Sequence, residues 1–344
     1  MPELKIGDQV FKAGTRTSVN LPVVNLYTNT ALDMSVHVVR AKKPGPTVFV
    51  CAAIHGDELN GIDIVRRLVN SKSLKLDNGS LILVPIVNVY GVLNQSRYLP
   101  DRRDLNRNFP GSAKGSLAAR VADQFIREIV SQCDYGIDLH TGAIHRSNLP
   151  QIRADLKDEQ TLALAKSFGV PVLLDSAMRD GSLRQAAIEL GTRMLVYEAG
   201  QALRFDEMSI RAGVRGVLNV LHHLGMRRTR RSSKIVTPYV ANTSAWIRTS
   251  DSGIVEHHAQ LGDYVSIGDR LATVRDPLGE VLDEVRATRN GIVIGKQNIP
   301  LTYEGEAIYH IAYFSEDGED IAEHIETLQS VLMPAEQGAS FDQE

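Results

Sequence analysis

The chain has 344 residues, of which 43% are hydrophobic and 23% are charged, and its formal net charge at pH 7 is -3. A chain of this length can form more than one domain and bury at least one full-sized core. The small net charge argues against a general nucleic-acid binder, and no stretch reaches the roughly 18 apolar residues of a membrane span. Because the N-terminus also lacks a basic segment followed by an apolar core, we expect a cytoplasmic protein that binds neither nucleic acid nor membranes.

Residues 1–45 mix apolar and polar side chains in short pieces, which predicts a β-rich, antiparallel extension of the domain that follows. From residue 46 to 226 apolar runs alternate with amphipathic stretches. This alternation predicts an α/β fold with a mixed, mostly parallel sheet and flanking helices. The predicted strands are 47–54, 81–88, 135–140, 171–174 and 193–198, and the predicted helices are 61–70, one that begins at Ser116, 158–168, 181–190 and 207–225.

After residue 226 the pattern changes again. Residues 227–236 carry a basic run that we interpret as a solvated linker rather than a nucleic-acid patch. Residues 237–332 read as short strands with glycine turns, which predicts a small C-terminal β domain. This segment resembles the barrel-sandwich hybrid of biotinyl and lipoyl carriers but has no acceptor lysine in the hairpin. It could narrow access to a site or mediate contacts in a homo-oligomer, and the sequence leaves both open. Residues 333–344 are predicted to be a mobile tail.

Both cysteines of the chain, Cys51 and Cys133, lie in or beside apolar runs. Disulfide frameworks are typical of small secreted domains, whereas isolated buried cysteines behave as small hydrophobic residues. We therefore expect two buried free thiols, which agrees with a reducing compartment.

The most informative segment is His55-Gly56-Asp57-Glu58, which directly follows the apolar run 47–54. An imidazole and a carboxylate three residues apart in a turn can bind one metal ion, and a third ligand from elsewhere leaves a fourth position for water. His140 ends the strand-like run 135–140, and a parallel sheet brings such ends together at its carboxyl edge. The spacing therefore predicts a zinc hydrolase site, although a pair of solvated surface residues would show the same short motif.

Two further segments carry chemistry. Residues 97–110 concentrate cationic side chains beside an amide and an aromatic residue, without the glycines of a phosphate-binding loop. Guanidinium groups bind carboxylates through paired hydrogen bonds, so this segment favours an anionic substrate, with a salt-bridged loop as the alternative. Glu198 ends the apolar run 193–198. A carboxylate beside a metal-bound water can take its proton as general base, whereas an ordinary loop glutamate is the alternative.

Together these segments resemble the motif set of the succinylglutamate desuccinylase and aspartoacylase family, distant relatives of the zinc carboxypeptidases. The resemblance covers roughly residues 45 to 225 and rests on four segments, namely His55–Glu58, Asp104–Gly111, Asp138–Gly142 and Tyr197–Gly200. It implies one Zn2+ per chain, bound by His55, Glu58 and His140, with Glu198 as the base. It also implies that Asn106 and Arg107 hold a substrate carboxylate. Either Arg97 or Arg103 would polarise the scissile carbonyl, because the interval before Asp104 is slightly longer here than in aspartoacylase.

The implied activity is hydrolysis of the amide bond of an N-acyl amino acid, a small molecule such as N-acetyl-diaminobutyrate. Asn148 and Arg153 follow His140 closely enough to line the substrate pocket, although ordinary loop residues would look the same. The first alternative is a zinc carboxypeptidase that acts on short peptides and requires an open groove. The second is a binding protein without turnover, which would have no chemical need for both the metal ligands and the base.

Overall fold

The computed structural model describes residues 2–72, 74–228 and 238–314. The predicted tail, the linker from residue 229 onward and the last part of the predicted C-terminal β domain lie outside the described residues. Within those residues, no helix is both long enough and apolar enough to cross a membrane. Both cysteines are buried and free, as predicted.

The N-terminal residues form antiparallel strands, as their mixed pattern predicts. Strands β1 (Leu4–Ile6) and β2 (Gln9–Phe11) pair with each other. Strands β3 (Arg16–Asn25) and β4 (Ala31–Arg40) also pair, and β4 joins them to the edge of a large sheet. Strands β3 and β4 therefore extend the main sheet, whereas β1 and β2 form a separate two-stranded sheet.

Residues 46–226 contribute the centre of that sheet, which has 13 strands within the described ranges. The six strands that this segment contributes are β5 (Thr47–Ala52), β6 (Ser80–Val84), β7 (Tyr135–Gly142), β8 (Arg146–Ala154), β9 (Val172–Asp175) and β10 (Arg193–Gln201). The helices are α1 (Asn60–Asn70), α2 (Val89–Leu93), α3 (Leu117–Glu128), α4 (Glu159–Phe168), α5 (Leu183–Glu189) and α6 (Glu207–His223). The five predicted helices and five predicted strands are confirmed with small shifts at their ends.

The core of the sheet is parallel, in the order β6-β5-β7-β10, and antiparallel pairs flank it on both sides. The fold is therefore α/β with a large mixed sheet, and its parallel part is confined to the centre and to β9. Two apolar clusters cover the two faces, one including α1, α4 and α6 and the other including α3 and α5. Because both faces are covered, the parallel strands are almost continuously apolar.

Helix α3 shows how the local sequence sets these elements. The Ser116 hydroxyl accepts a hydrogen bond from the amide of Ala119 at 3.3 Å and caps the helix. Val121 and Phe125, four residues apart, both lie on its buried face. The helix therefore begins where the capping residue and the apolar stripe predict it.

From residue 238 onward the described residues form nine strands, β11 (Tyr239–Ala241), β12 (Thr243–Arg248), β13 (Gly253–His257), β14 (Tyr264–Val265), β15 (Arg270–Arg275), β16 (Val281–Arg286), β17 (Gly291–Gln297), β18 (Leu301–Thr302) and β19 (Ala307–Tyr313). Five of them, β11, β12, β14, β17 and β19, continue the main sheet. Strand β17 pairs with β8 in antiparallel fashion, with Gly295 opposite Asn148, and the order continues through β19 to β12. A second sheet of four strands has the order β16-β15-β13-β18. The barrel-sandwich resemblance and the domain boundaries stay predictions.

Candidate metal centre

His55, Glu58 and His140 come together at the carboxyl edge of the parallel core. Each offers one ligand atom, and these atoms lie within 4.8 Å of one another. The two carboxylate oxygens of Glu58 contact the two imidazoles, Oε1 at 2.7 Å from Nδ1 of His55 and Oε2 at 2.7 Å from Nδ1 of His140. All three side chains are buried. Three protein ligands of this kind are the set used by catalytic zinc sites.

The turn between the first two ligands requires glycine. A Cβ on Gly56 would lie 1.9 Å from the carbonyl carbon of Gly91, so no larger residue fits without moving the backbone. The turn that carries His55 and Glu58 follows strand β5 in the chain and packs closely against α2.

Each imidazole contacts a second carboxylate through its other ring nitrogen. Nε2 of His140 lies 2.7 Å from Oδ2 of Asp138, and Nε2 of His55 lies 3.2 Å from Oδ1 of Asp104. A carboxylate on Nε2 holds a proton there, so Nδ1 of each ring, which faces Glu58, is the nitrogen that would bind a metal in place of a proton.

The charges of this cluster favour a bound cation. Burial by itself would lower the pKa of His140, but the neighbouring charges of Asp138 and Glu58 raise it well above its usual value. Burial likewise opposes the charge of Glu58, yet the two imidazoles hold the pKa of its carboxyl below the usual range. A metal ion would replace the protons that otherwise balance these carboxylates, so its affinity depends on pH.

Arg97 and Arg103 occupy different environments. Nη1 of Arg97 lies 3.3 Å from Nδ1 of His55 and 3.4 Å from Oε1 of Glu58, and its Nε and Nη2 donate to Oδ2 of Asp104 at 3.2 and 2.9 Å. The side chain of Arg103 is 57% exposed and pairs with Asp101 at 3.8 Å. Of the two arginines left open by the sequence, Arg97 contacts the cluster of His55, Glu58 and His140.

Glu198 lies directly opposite His140 in the parallel β7–β10 pair. Its Oε2 accepts a hydrogen bond from Nδ2 of Asn148 at 3.0 Å, and its Oε1 lies 3.8 Å from Nε of Arg153. Asn148 and Arg153 both belong to β8, which pairs with β10. The structure thus brings the predicted base and both predicted pocket residues together beside the candidate metal ligand His140.

Asn106 and Arg107 form part of a short 3-10 turn, Leu105–Arg107, that follows Asp104. The Oδ1 atom of Asn106 accepts a hydrogen bond from the amide of Leu183 at 2.9 Å, which ties the turn to the start of α5. Arg107 is exposed, and its Nη1 donates to the carbonyl of Asn106 at 2.5 Å. Arg107 therefore carries an accessible guanidinium on the same segment as Arg97.

The contacts of Asp104 and Asp138 with the two imidazoles were not among the sequence predictions. The contact of Asp138 could have been predicted from the sequence, because Asp138 precedes His140 by two residues on the predicted strand and residues two apart on a strand share a face. For Asp104, the only local signal is its place as a capping residue, where its Oδ1 accepts from the amide of Asn106 at 2.8 Å.

An α/β sheet that carries a His–Glu–His cluster, a nearby carboxylate and an arginine at its carboxyl edge defines the class of candidate metal-dependent hydrolases. The catalytic domain of the succinylglutamate desuccinylase/aspartoacylase family matches residues 44–224. The chain therefore belongs to this family, as its motifs predict.

Individual relatives agree with this assignment. The chain is 28% identical over 299 residues to N-alpha-acetyl-L-2,4-diaminobutyric acid deacetylase of Halomonas elongata, covering 82% of this chain and 86% of that protein. The fold of the present chain is similar to that of the ectoine utilization protein EutE of Ruegeria pomeroyi, with a TM-score of 0.79 and 24% identity. The match covers 91% of this chain and 99% of the EutE chain. A succinylglutamate desuccinylase/aspartoacylase from Rhodobacter sphaeroides has a TM-score of 0.76, 23% identity and coverage of 90% and 99%.

Proposed function

We propose that this chain is a zinc-dependent amidohydrolase that removes the acyl group from an N-acyl amino acid. The observation that carries the proposal is the buried cluster of His55, Glu58 and His140 with Glu198 opposite His140 on the next strand. Membership of the succinylglutamate desuccinylase/aspartoacylase family supports the same activity.

One Zn2+ per chain fits the donor set, since two imidazole nitrogens and a carboxylate are preferred zinc ligands and both imidazoles are oriented by carboxylates. When bound, zinc would lower the pKa of a water molecule to near neutrality and polarise the acyl carbonyl.

The side chains around the metal cluster carry the remaining steps. Glu198 takes a proton from water as the water oxygen adds to the acyl carbon, and Arg97 binds the carbonyl oxygen as negative charge develops on it. Glu198 then gives the proton to the amide nitrogen as the C–N bond breaks. One water is consumed, and the products are a carboxylic acid and a free amino acid.

The arginines indicate a substrate that carries a carboxylate. We assign Asn106 and Arg107 to that carboxylate and Arg153 to a second polar group of the substrate, because planar guanidinium groups bind carboxylates through paired hydrogen bonds. N-acetyl-diaminobutyrate is the specific substrate suggested by the relative from Halomonas elongata, which matches over most of both chains. The free, buried cysteines are consistent with action in the cytoplasm.

The test is amine release from a panel of N-acetyl, N-succinyl and N-formyl amino acids and short peptides, for the wild type and Glu198→Gln. We expect release from an acylated amino acid by the wild type and almost none by Glu198→Gln, because the amide cannot accept the proton of water. Cleavage of peptides alone would favour a carboxypeptidase instead. No release from any member of the panel by zinc-loaded wild type would overturn the proposal.

A further inference from the structure

We propose that Asn148 is a positioning residue for Glu198, which it reaches through an irregularity in the β8–β10 pairing. This inference rests on the function proposed above, in which Glu198 is the base. It assigns Asn148 to the orientation of that base rather than to the binding of substrate.

The contact between the two side chains has a defined chemistry. The distance from Nδ2 of Asn148 to Oε2 of Glu198 is 3.0 Å. An ionised carboxylate only accepts hydrogen bonds, so the amide must present its NH2 group to Glu198. Asn148 is 9% exposed, which leaves its amide few alternative partners in solvent.

The strand register explains how Asn148 reaches the base. Glu198 pairs with Gln151, and Gly200 pairs with Asn148, so two steps along β10 correspond to three steps along β8. In a regular ladder, Asn148 and Gln151 would face opposite sides of the sheet because they are three residues apart. The extra residue in β8 is a β-bulge, and bulges beside active sites redirect side chains. Here the redirected side chain is Asn148.

Strand β10 is also irregular at this point. Its register against β7 shifts between Glu198 and Gln201, and Gly200 has a φ of +72°. A Cβ on Gly200 would lie 2.5 Å from Nδ2 of Asn60, so glycine is required there for both conformation and space. The departure from regular pairing is therefore built into the sequence on both sides of the base.

The strands from residue 238 onward support Asn148 from the other side. Gly295 of β17 pairs with Asn148, and a Cβ at Gly295 would lie 3.3 Å from Oδ1 of Asn148. Asn148 thus lies between β10, which carries the base, and β17. Its hydrogen bond occupies Oε2 of Glu198, whereas Oε1 lies 3.8 Å from Nε of Arg153, beyond hydrogen-bond distance, and is the oxygen that accepts the proton from water.

The experiment compares kcat and KM of wild type, Asn148→Ala and the near-isosteric Asn148→Asp, on whichever substrate the panel identifies. We expect kcat to fall about 10- to 100-fold in Asn148→Ala, the range for a lost hydrogen bond to a charged group, while KM changes little. Asn148→Asp should lose at least as much kcat, since it replaces the donor with a second negative charge. In a Glu198→Gln background, Asn148→Ala should cause no further loss.

Asn298→Ala is the matched control. Its Nδ2 donates to Oγ of Ser147 and Oε1 of Gln201, so it bridges the neighbouring residues of β8 and β10 without touching the base. We expect its kcat to match the wild type. A rise in KM at unchanged kcat in Asn148→Ala would overturn the inference in favour of substrate binding, and equal losses in Asn298→Ala would overturn it in favour of a structural role. Full activity of Glu198→Gln would instead contradict the proposed function.

Discussion

The contact between Asp138 and His140 provides a quantitative test of the metal centre. Nε2 of His140 lies 2.7 Å from Oδ2 of Asp138, and the two side chains are 4% and 2% exposed. Asp138→Asn keeps the shape of the side chain but removes its charge. Hydrogen bonds to charged groups contribute about 1.5–3 kcal/mol, and about 1.4 kcal/mol corresponds to a tenfold change in affinity. We therefore expect the zinc affinity to fall about 10- to 100-fold.

The assay is a competition titration against a chelator of known affinity, run on wild type, Asp138→Asn and the control Asp134→Asn. Asp134 lies one residue before the same strand, β7, and its Oδ2 accepts from the amide of Thr47 at 2.7 Å. The control should keep the wild-type zinc affinity. An unchanged affinity in Asp138→Asn, or an equal fall in both variants, would refute the reasoning that this carboxylate tunes the ligand.

Three further perturbations test other parts of the structure. Arg97→Ala should lower kcat about 100-fold or more, whereas the exposed Arg103→Ala should keep wild-type kcat, and equal effects would contradict the assignment. Burial and the charge of Arg153 lower the pKa of His310 to about 3, against 6.5 for the unperturbed group. The unfolded state therefore binds the proton first, and stability is lost as the pH falls from about 6.5 towards 3. At pH about 5 this effect lowers the free energy of unfolding by up to about 2 kcal/mol, and His310→Gln should abolish that decrease. A pH profile of urea unfolding that is the same in wild type and His310→Gln would contradict this. Gly56→Ala should lower the unfolding free energy by about 2 kcal/mol or more, and a wild-type urea midpoint would refute the packing argument.

The helices and the parallel strands could be predicted because their signals are local. Ser116 and the apolar stripe of α3 determine where that helix begins, and the runs ending near His55, His140 and Glu198 are rich in apolar residues. The convergence of these three residues then follows from the geometry of a parallel sheet.

Strand β8 could not be predicted in the same way. Residues 146–154 mix charged, amide and apolar side chains and include Pro150, which is unfavourable in a central strand. The pairing with β10 on one side and β17 on the other overrides this local preference. The bulge that brings Asn148 to the base is a property of that pairing.

The choice between Arg97 and Arg103 also depends on the path of the chain rather than on spacing. The amide of Arg102 donates to the carbonyl of Leu99 at 2.9 Å, and the amide of Leu99 donates to the carbonyl of Arg103 at 3.1 Å. This tight turn, with Arg102 at a φ of +60°, lies between the two candidates. Arg103 is left exposed, and Arg97 lies against the ligands.

The most direct test of the metal centre is zinc content by elemental analysis, measured together with amine release after chelation and zinc return. The wild type should hold one zinc per chain, lose activity when the metal is removed and regain it when zinc is restored. His140→Ala should hold much less zinc, because it removes one of three protein ligands. A wild type that binds no zinc after metal-replete preparation, or that hydrolyses its substrate equally well without metal, would contradict the account.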